Sequence, residues 1–190
     1  NLWERRPDDA DFLQLSAGWA DQRSMGEVEY ADGGDAQLRT EAETELGKWA
    51  TARNVPVVVA LGEAGVVGLC GEREPMESLA RLMAVQLATL HSPRDLVIAI
   101  AASATEQAGW SWATWLPHLR SETSPIEGRH IAIGDADAAA LFESVGNVVR
   151  SRRAEAGNRL SDARKPSPAV VLFVSEQLNV PRTSVVRILE

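Results

Sequence analysis

The chain has 190 residues, of which 45 % are hydrophobic and 24 % charged, a composition that suits one globular domain with a substantial core and a small appendage. Its formal charge of −8 and pI near 5.0 argue against a nucleic-acid-binding domain, which needs clustered Lys and Arg to meet phosphates. A single cysteine excludes an internal disulfide, and three histidines far apart in sequence, with neither HExxH nor paired CxxC spacing, leave no expected metal site.

The first 34 residues read as a small β appendage, with a strand over Phe12–Ser16 and a turn at Gly18. No apolar run here or later approaches the roughly 18 residues needed to cross a bilayer, and no signal peptide is visible. The abrupt start at Asn1-Leu2-Trp3 and the helical-looking end at Arg187-Ile188-Leu189-Glu190 read as a piece of a longer protein, which could carry a membrane segment elsewhere. From residue 35 to residue 190 the pattern is that of one αβ domain. Asp35 is a candidate N-cap for an amphipathic helix over 35–53, with Leu38, Ala42, Leu46 and Trp49 at helical spacing. VPVVVALG and GVVGLCG read as two buried strands. A helix from about Pro75 to Leu90, apolar nearly all round, is expected to be buried on most sides, and His91-Ser92-Pro93-Arg94 ends it. LVIAIAA is the next buried strand, residues 103–129 are loop-rich, and HIAIG is a further strand. A helix from about Asp135 to Ala154, ending near Gly157, presents Leu141, Val145, Val148 and Val149 to the core, a polar connector covers 155–168, AVVLFV is the last buried strand, and Thr183 or Ser184 opens a final helix. Short apolar strands alternating with helices predict a three-layer α/β fold, a mostly parallel sheet with helices on both faces.

The stretch CGEREPMES, residues 70–78, lies between an expected buried strand and an expected buried helix, where a nucleotide-binding fold carries its phosphate loop. A Walker A loop, GxxxxGK[ST], wraps phosphates with backbone N–H groups, neutralises them with its Lys and holds Mg²⁺ with its Ser or Thr. With Gly71 as the first glycine, Met76 replaces the second, Glu77 replaces the Lys, and Ser78 is kept. Glu72, Glu74 and Glu77 would repel a triphosphate, and Arg73 is the only cation in the loop. In AVVLFVSEQ, Ser175 stands where a Walker B strand has Asp, and Glu176 follows. The plainer reading is a strand-to-helix turn with Pro75 in the first turn and acidic residues complementing the helix dipole.

Three tryptophans, Trp110, Trp112 and Trp115, followed by His118, make either a partner-binding loop or a set of rings packed on the open end of the sheet. Arg150, Arg152, Arg153, Arg159, Arg164 and Lys165 form the one basic stretch, suited to acidic lipid headgroups or an acidic partner, or simply a solvated helix end. Cys70 reads as a core residue at a strand end, and no nucleophile motif appears.

Two stretches, LWERRPDDADFLQLSAG and GVVGLCGEREPMESLARLMAVQLATLHSPRDLVIAI, the second followed by WSWATWLPHLR, resemble EccC (EssC) proteins, the FtsK/SpoIIIE-type motor ATPases of type VII (ESX) secretion systems. They look like the cytosolic domain between the transmembrane helices and the first full ATPase module. The resemblance implies a RecA-like fold with a degenerate P-loop, at the cytoplasmic face of the cell membrane within a membrane-anchored parent. It also implies a role in protein export, with other domains and subunits of the secretion complex, and neighbouring copies in a hexamer, as partners. Without the Walker lysine and aspartate, the expectation is a non-hydrolysing domain with no catalytic residue and no bound cofactor. One alternative is a weak ATP/Mg²⁺ site in which Arg73 stands in for the lysine and Glu176 orients water. Another is a plain protein-interaction module.

Overall fold

The computed structural model of the protein describes residues 2–26, 33–158, 167–181 and 188. In chain order the elements are β1 (Gln14–Arg23), α1 (Ala36–Trp49), β2 (Thr51–Ala60), the short α2 (Leu61–Ala64), α3 (Arg73–Leu90), β3 (Leu96–Ala102), the short α4 (Gln107–Trp110) flanked by 3₁₀ turns, β4 (Ile131–Ile133), α5 (Asp135–Asn158) and β5 (Ala169–Val174). They form two units, one of residues 14–67 and the other of residues 1–13 with 68–190.

In the larger unit the strands are parallel in the order β4-β3-β5. β3 is LVIAIAA, and all seven of its residues are buried, as a continuous β-branched and small apolar run demands of a central parallel strand. Side chains alternate across the sheet. Val97, Ala99 and Ala101 turn to one face and pack with Ala132 of β4 and with Ala138, Leu141, Phe142, Val145 and Val148 of α5. The alanines on the sheet leave room for the larger side chains of the helix. Gly134, at φ 84°, turns the chain from β4 into α5, and its carbonyl accepts the helix's first hydrogen bond, from Ala138. Asp135 and Asp137 follow in the first turn, where negative charge suits the helix dipole. On the opposite face the Phe173 ring of β5 meets Trp110 at 5.6 Å between centroids. This is mixed α/β architecture with a parallel sheet flanked by helices, consistent with a RecA-like fold, and it agrees with the fold class read from the sequence.

The carboxyl end of α3 shows how the N-terminal segment is attached. The last turn of a helix leaves its carbonyls without intrahelical partners. Leu87 O receives His91 N and the His91 Nδ1–H, Ala88 O receives Trp3 Nε1, Thr89 O receives Trp3 N, and Leu90 O receives Arg5 N. Residues 3–13 are thus a strap that completes α3. His91 is fully buried; its Nδ1–H donates to Leu87 O at 3.0 Å and its Nε2 accepts from Leu13 N at 3.0 Å. That pair of bonds requires the neutral imidazole. Leu13 has φ 61°, a conformation that is costly without a glycine, and the bond to His91 holds it there. Phe12 sits edge-on to the same ring, and Arg5–Asp11 and Arg6–Asp95 ion pairs pin the strap at 2.9 and 3.2 Å. The fully buried His118 donates from Nε2 to His91 O at 2.8 Å.

In the smaller unit β1 and β2 pair antiparallel, with Leu15 opposite Val59 and Trp19 opposite Pro56. α1 is capped by Asp35, whose carboxylate accepts from Gln37 N and Leu38 N.

The structure departs from several expectations of the sequence. The N-terminal strand runs Gln14–Arg23, not Phe12–Ser16, and Gly18 lies inside it, at a register irregularity instead of a turn. VPVVVALG forms a strand, but in the two-stranded antiparallel sheet with Val58 exposed. GVVGLC forms no strand; Val66 is 62 % exposed and Cys70 is exposed, not core. α1 ends at Trp49 and buries no residue. Among the described residues nothing covers its apolar stripe, and Leu38 and Trp49 are exposed. α3 buries only Met83, Ala84, Leu87 and Ala88, leaving Leu82 and Val85 exposed. α5 runs to Asn158, next to the expected stop near Gly157. The expected final helix, most of the polar connector, and Arg159, Arg164 and Lys165 of the basic stretch lie outside the described residues.

Burial holds the pKa of His91, His118 and His130 below the ordinary value of 6.5. Because the folded pKa values are depressed, the unfolded chain binds more protons than the native one below pH ~6.5, so this stability is full above that pH and is lost as pH falls through the histidine range. Thermal melts are expected to show a falling Tm from about pH 7 to about pH 5, each histidine contributing a slope of at most about 1.4 kcal/mol per pH unit. A flat Tm across that window would contradict the neutral-histidine arrangement.

Candidate functional site at the carboxyl end of the parallel sheet

Open α/β sheets bind ligands outside the carboxyl ends of their strands. Here β3 ends into Ser103 and β5 into Ser175, and the first turn of α3 reaches the same place. Arg73 Nε donates to Glu77 Oε1 at 2.6 Å, and its Nη2 lies 3.3 Å from Gln177 Oε1 and 3.9 Å from Glu106 Oε1. Arg81 Nη1 reaches Glu77 Oε2 at 3.4 Å, and its Nη2 donates to the Ser78 hydroxyl at 3.2 Å. Glu77 therefore sits between two guanidiniums, four residues from each along one helix face, the spacing that brings charged side chains together.

Glu106 is held from the strand side. Ser103 and Glu106 form a capping box at the 3₁₀ turn that follows β3. Glu106 Oε2 accepts from Ser103 N at 2.9 Å and from Ser103 Oγ at 2.8 Å. Burial pushes the Glu106 carboxyl up, but donors from Ser175 and Ser103, with the charge of Arg73, outweigh it and hold the pKa below the usual glutamate range. Thr105 Oγ1 donates to Gln177 Oε1 at 2.9 Å, and Gln177 N donates to Ser175 Oγ at 3.1 Å.

Of the residues singled out in the loop, Arg73, Glu77 and Ser78 join this network. Gly71, Glu72 and Glu74 are exposed at the start of α3, where Glu72 O accepts the first helical bond from Met76. Glu176 is exposed beside Ser175, and its neighbour Gln177 is the residue that enters the network. Glu106, Ser103, Thr105 and Gln177 were missed in the sequence reading. The S-x-x-E spacing of 103–106 straight after a buried strand was the available signal for the first two; nothing in the sequence marks Gln177.

The chemistry of this end is that of closed ion pairs. Two guanidiniums, Arg73 and Arg81, face two carboxylates, Glu77 and Glu106, and Glu72 and Glu74 add negative charge at the rim. Arg73, the one cation of the loop, is paired with Glu77 and lies beside Glu106.

The tryptophan cluster fans out. Trp110 is buried on Phe173, and Trp112 stacks on Trp110 at 6.3 Å and donates from Nε1 to Gly109 O. His118 is buried against the strap, edge-on to Trp3. Trp115 is 84 % exposed, so it alone of the four offers a whole ring to solvent.

Glu106→Gln keeps the side chain's shape but removes a charge that receives hydrogen bonds, and such bonds are worth about 1.5–3 kcal/mol. The expected loss of unfolding free energy at neutral pH is about 1–2 kcal/mol, since Arg73 is half-exposed and Gln still accepts one bond. Because the folded pKa of Glu106 is depressed, its contribution is present above the ordinary glutamate pKa and lost as pH falls through the folded value. Urea unfolding of both proteins at neutral pH and near pH 3.5 checks this, the difference shrinking at the lower pH.

No family model matches the chain. Curated relatives do. It is 34 % identical over 122 residues to the ESX-4 secretion system protein EccC4 of Mycobacterium tuberculosis, covering 62 % of this chain and 10 % of that one. It is 30 % identical over 169 residues to EccC3 of the ESX-3 system of the same organism, covering 82 % and 12 %. It is 25 % identical over 194 aligned residues to the ESX secretion system protein EccC of Geobacillus thermodenitrificans, covering 100 % and 13 %. The chain is thus a homologue of EccC-type type VII secretion proteins, and it matches one segment of about a tenth of their length.

Proposed function

We propose that the chain is a non-hydrolysing, ATPase-like domain of a type VII secretion motor protein, and that it transmits force or conformation between a membrane-anchored part and downstream ATPase modules. The observation that carries the first half is the neutralised loop. Phosphoryl transfer depends on positioned positive charge and a metal-holding carboxylate. The one loop cation, Arg73, is bonded to Glu77 and lies beside Glu106, an acidic side chain stands at the lysine position, and Ser175 stands where the Walker B strand would supply Asp.

The strap supports the second half. Trp3, Arg5 and Leu13 are bonded to the end of α3 and to His91. A pull on the N-terminal segment is therefore delivered to α3, whose other end holds the Arg73 network. In this reading the domain works at the cytoplasmic face of the membrane, with the other subunits of the secretion complex and neighbouring copies in a ring as partners. Among the described residues no helix is long and apolar enough to cross a membrane, so attachment would come from elsewhere in the parent protein.

Calorimetric titration with Mg²⁺–ATP tests the proposal. The expected outcome is no saturable heat up to about 1 mM, the concentration at which binding is worth roughly 4 kcal/mol, for both the wild type and Arg73→Ala. Saturable binding that Arg73→Ala abolishes would overturn it in favour of a weak nucleotide site in which Arg73 exchanges its carboxylate partners for phosphate.

A further inference from the structure

β4 is a three-residue strand at the edge of the parallel sheet. Its ladder with β3 uses the His130 carbonyl, bonded to Ile100 N, and the Gly134 amide, bonded to Ala102 O. In a parallel ladder of this register, Ile100 opposite Ile131 and Ala102 opposite Ile133, the N–H and C=O groups of Ile131 and Ile133 point away from β3. Among the described residues no hydrogen bond takes them up. Both isoleucines line an open cleft of about 920 Å³, together with residues of the polar turn region that follows α4.

The charge of this cleft differs from that of the whole chain. Arg120 and Arg129 line it, both exposed, and among the described residues neither forms an ion pair. Asp137 is the single carboxylate in the lining; Glu122 and Glu127 of the adjoining loop are not part of it. Of the three histidines, His130 lines the cleft, and its Nε2 is 2.6 Å from the Ser124 hydroxyl. An unpaired strand edge is normally covered, charged or shortened to prevent unwanted pairing. Here it is short and flanked by two free guanidiniums, inside a protein of net charge −8.

We infer that the β4 edge is a docking site for an extended acidic peptide segment of a partner protein, which adds as a fourth strand beside Ile131 and Ile133 and places carboxylates against Arg120 and Arg129. Main-chain bonds to the edge supply affinity, and alternate side chains supply specificity. The two cations select acidic over basic sequences and speed encounter. The cleft lies beyond the Walker-equivalent positions, so the inference stands or falls independently of whether nucleotide binds.

Fluorescence anisotropy with the intact chain tests it, with three labelled probes: a short peptide of alternating Val and Glu, the same peptide with Lys for Glu, and the Val/Glu peptide N-methylated at every residue. The acidic peptide is expected to bind, the basic one not to, and N-methylation to weaken binding by about tenfold or more, since it removes the strand's donors while keeping its charge. The double variant Arg120→Glu/Arg129→Glu is expected to lose the acidic peptide and gain the basic one, with an unchanged circular dichroism spectrum. Equal binding of the N-methylated peptide would overturn strand addition. Binding of the acidic peptide unaffected by the double variant would place it elsewhere, and no binding of any probe would overturn the inference outright. So would concentration-dependent self-association that the double variant abolishes, which would assign the edge to a second copy of the chain.

Discussion

Seven consecutive residues of β3 are closed to water, and a strand in that state must have its backbone donors and acceptors bonded within the protein. β4 and β5 are the parallel neighbours that meet this requirement. They come from parts of the chain roughly 30 and 70 residues away, and parallel pairing needs a crossover for each. α5 is one of those crossovers, and its apolar face closes over the alanine-rich side of the sheet. Once β3 is fixed, its two ends are fixed as well. The first runs back to His91 and the strap; the second runs out into Ser103, Glu106 and the ion-pair network.

The buried histidines follow from the same constraint. The end of α3 reaches the sheet domain with the Ala88, Thr89 and Leu90 carbonyls to satisfy, and the chain meets these three with the N-terminal segment instead of solvent. A hydrogen-bonding ring that both donates and accepts is then needed beneath Leu13, and a neutral imidazole does so with one side chain. Proline in the HSPR stretch shows where α3 stops, but nothing local shows that residues 3–13 cover its end, because those contacts join positions more than 70 residues apart.

The elements legible in the sequence were those whose pattern is long or unambiguous. β3 and β5 are continuous apolar runs, and α5 carries Leu141, Val145 and Val148 at helical spacing. Short β-branched runs were harder. VPVVVALG and GVVGLC look alike, yet one pairs in an antiparallel sheet and the other forms no strand; a run of that length shows extended preference without naming a partner. Spacing also could not sort the three tryptophans, since short 3₁₀ turns send neighbouring rings in different directions and only the tertiary contact with Phe173 decides which is covered. At the candidate site the acidic, lysine-free composition of residues 70–78 was legible. The pairing of its side chains was not, because Glu106 and Gln177 lie beyond the ends of separate strands.

That pairing constrains what position 77 can hold. Glu77 is one helical turn from Arg73 on one side and one turn from Arg81 on the other. A lysine introduced there by itself would put three cations in a row along one helix face, with like-charge repulsion at both i,i+4 spacings. A basic side chain is thus the kind that the neighbours of position 77 disfavour. A basic residue at position 77 would therefore need compensating changes at Arg73 and Arg81, which ties these three positions to one another as a unit of change.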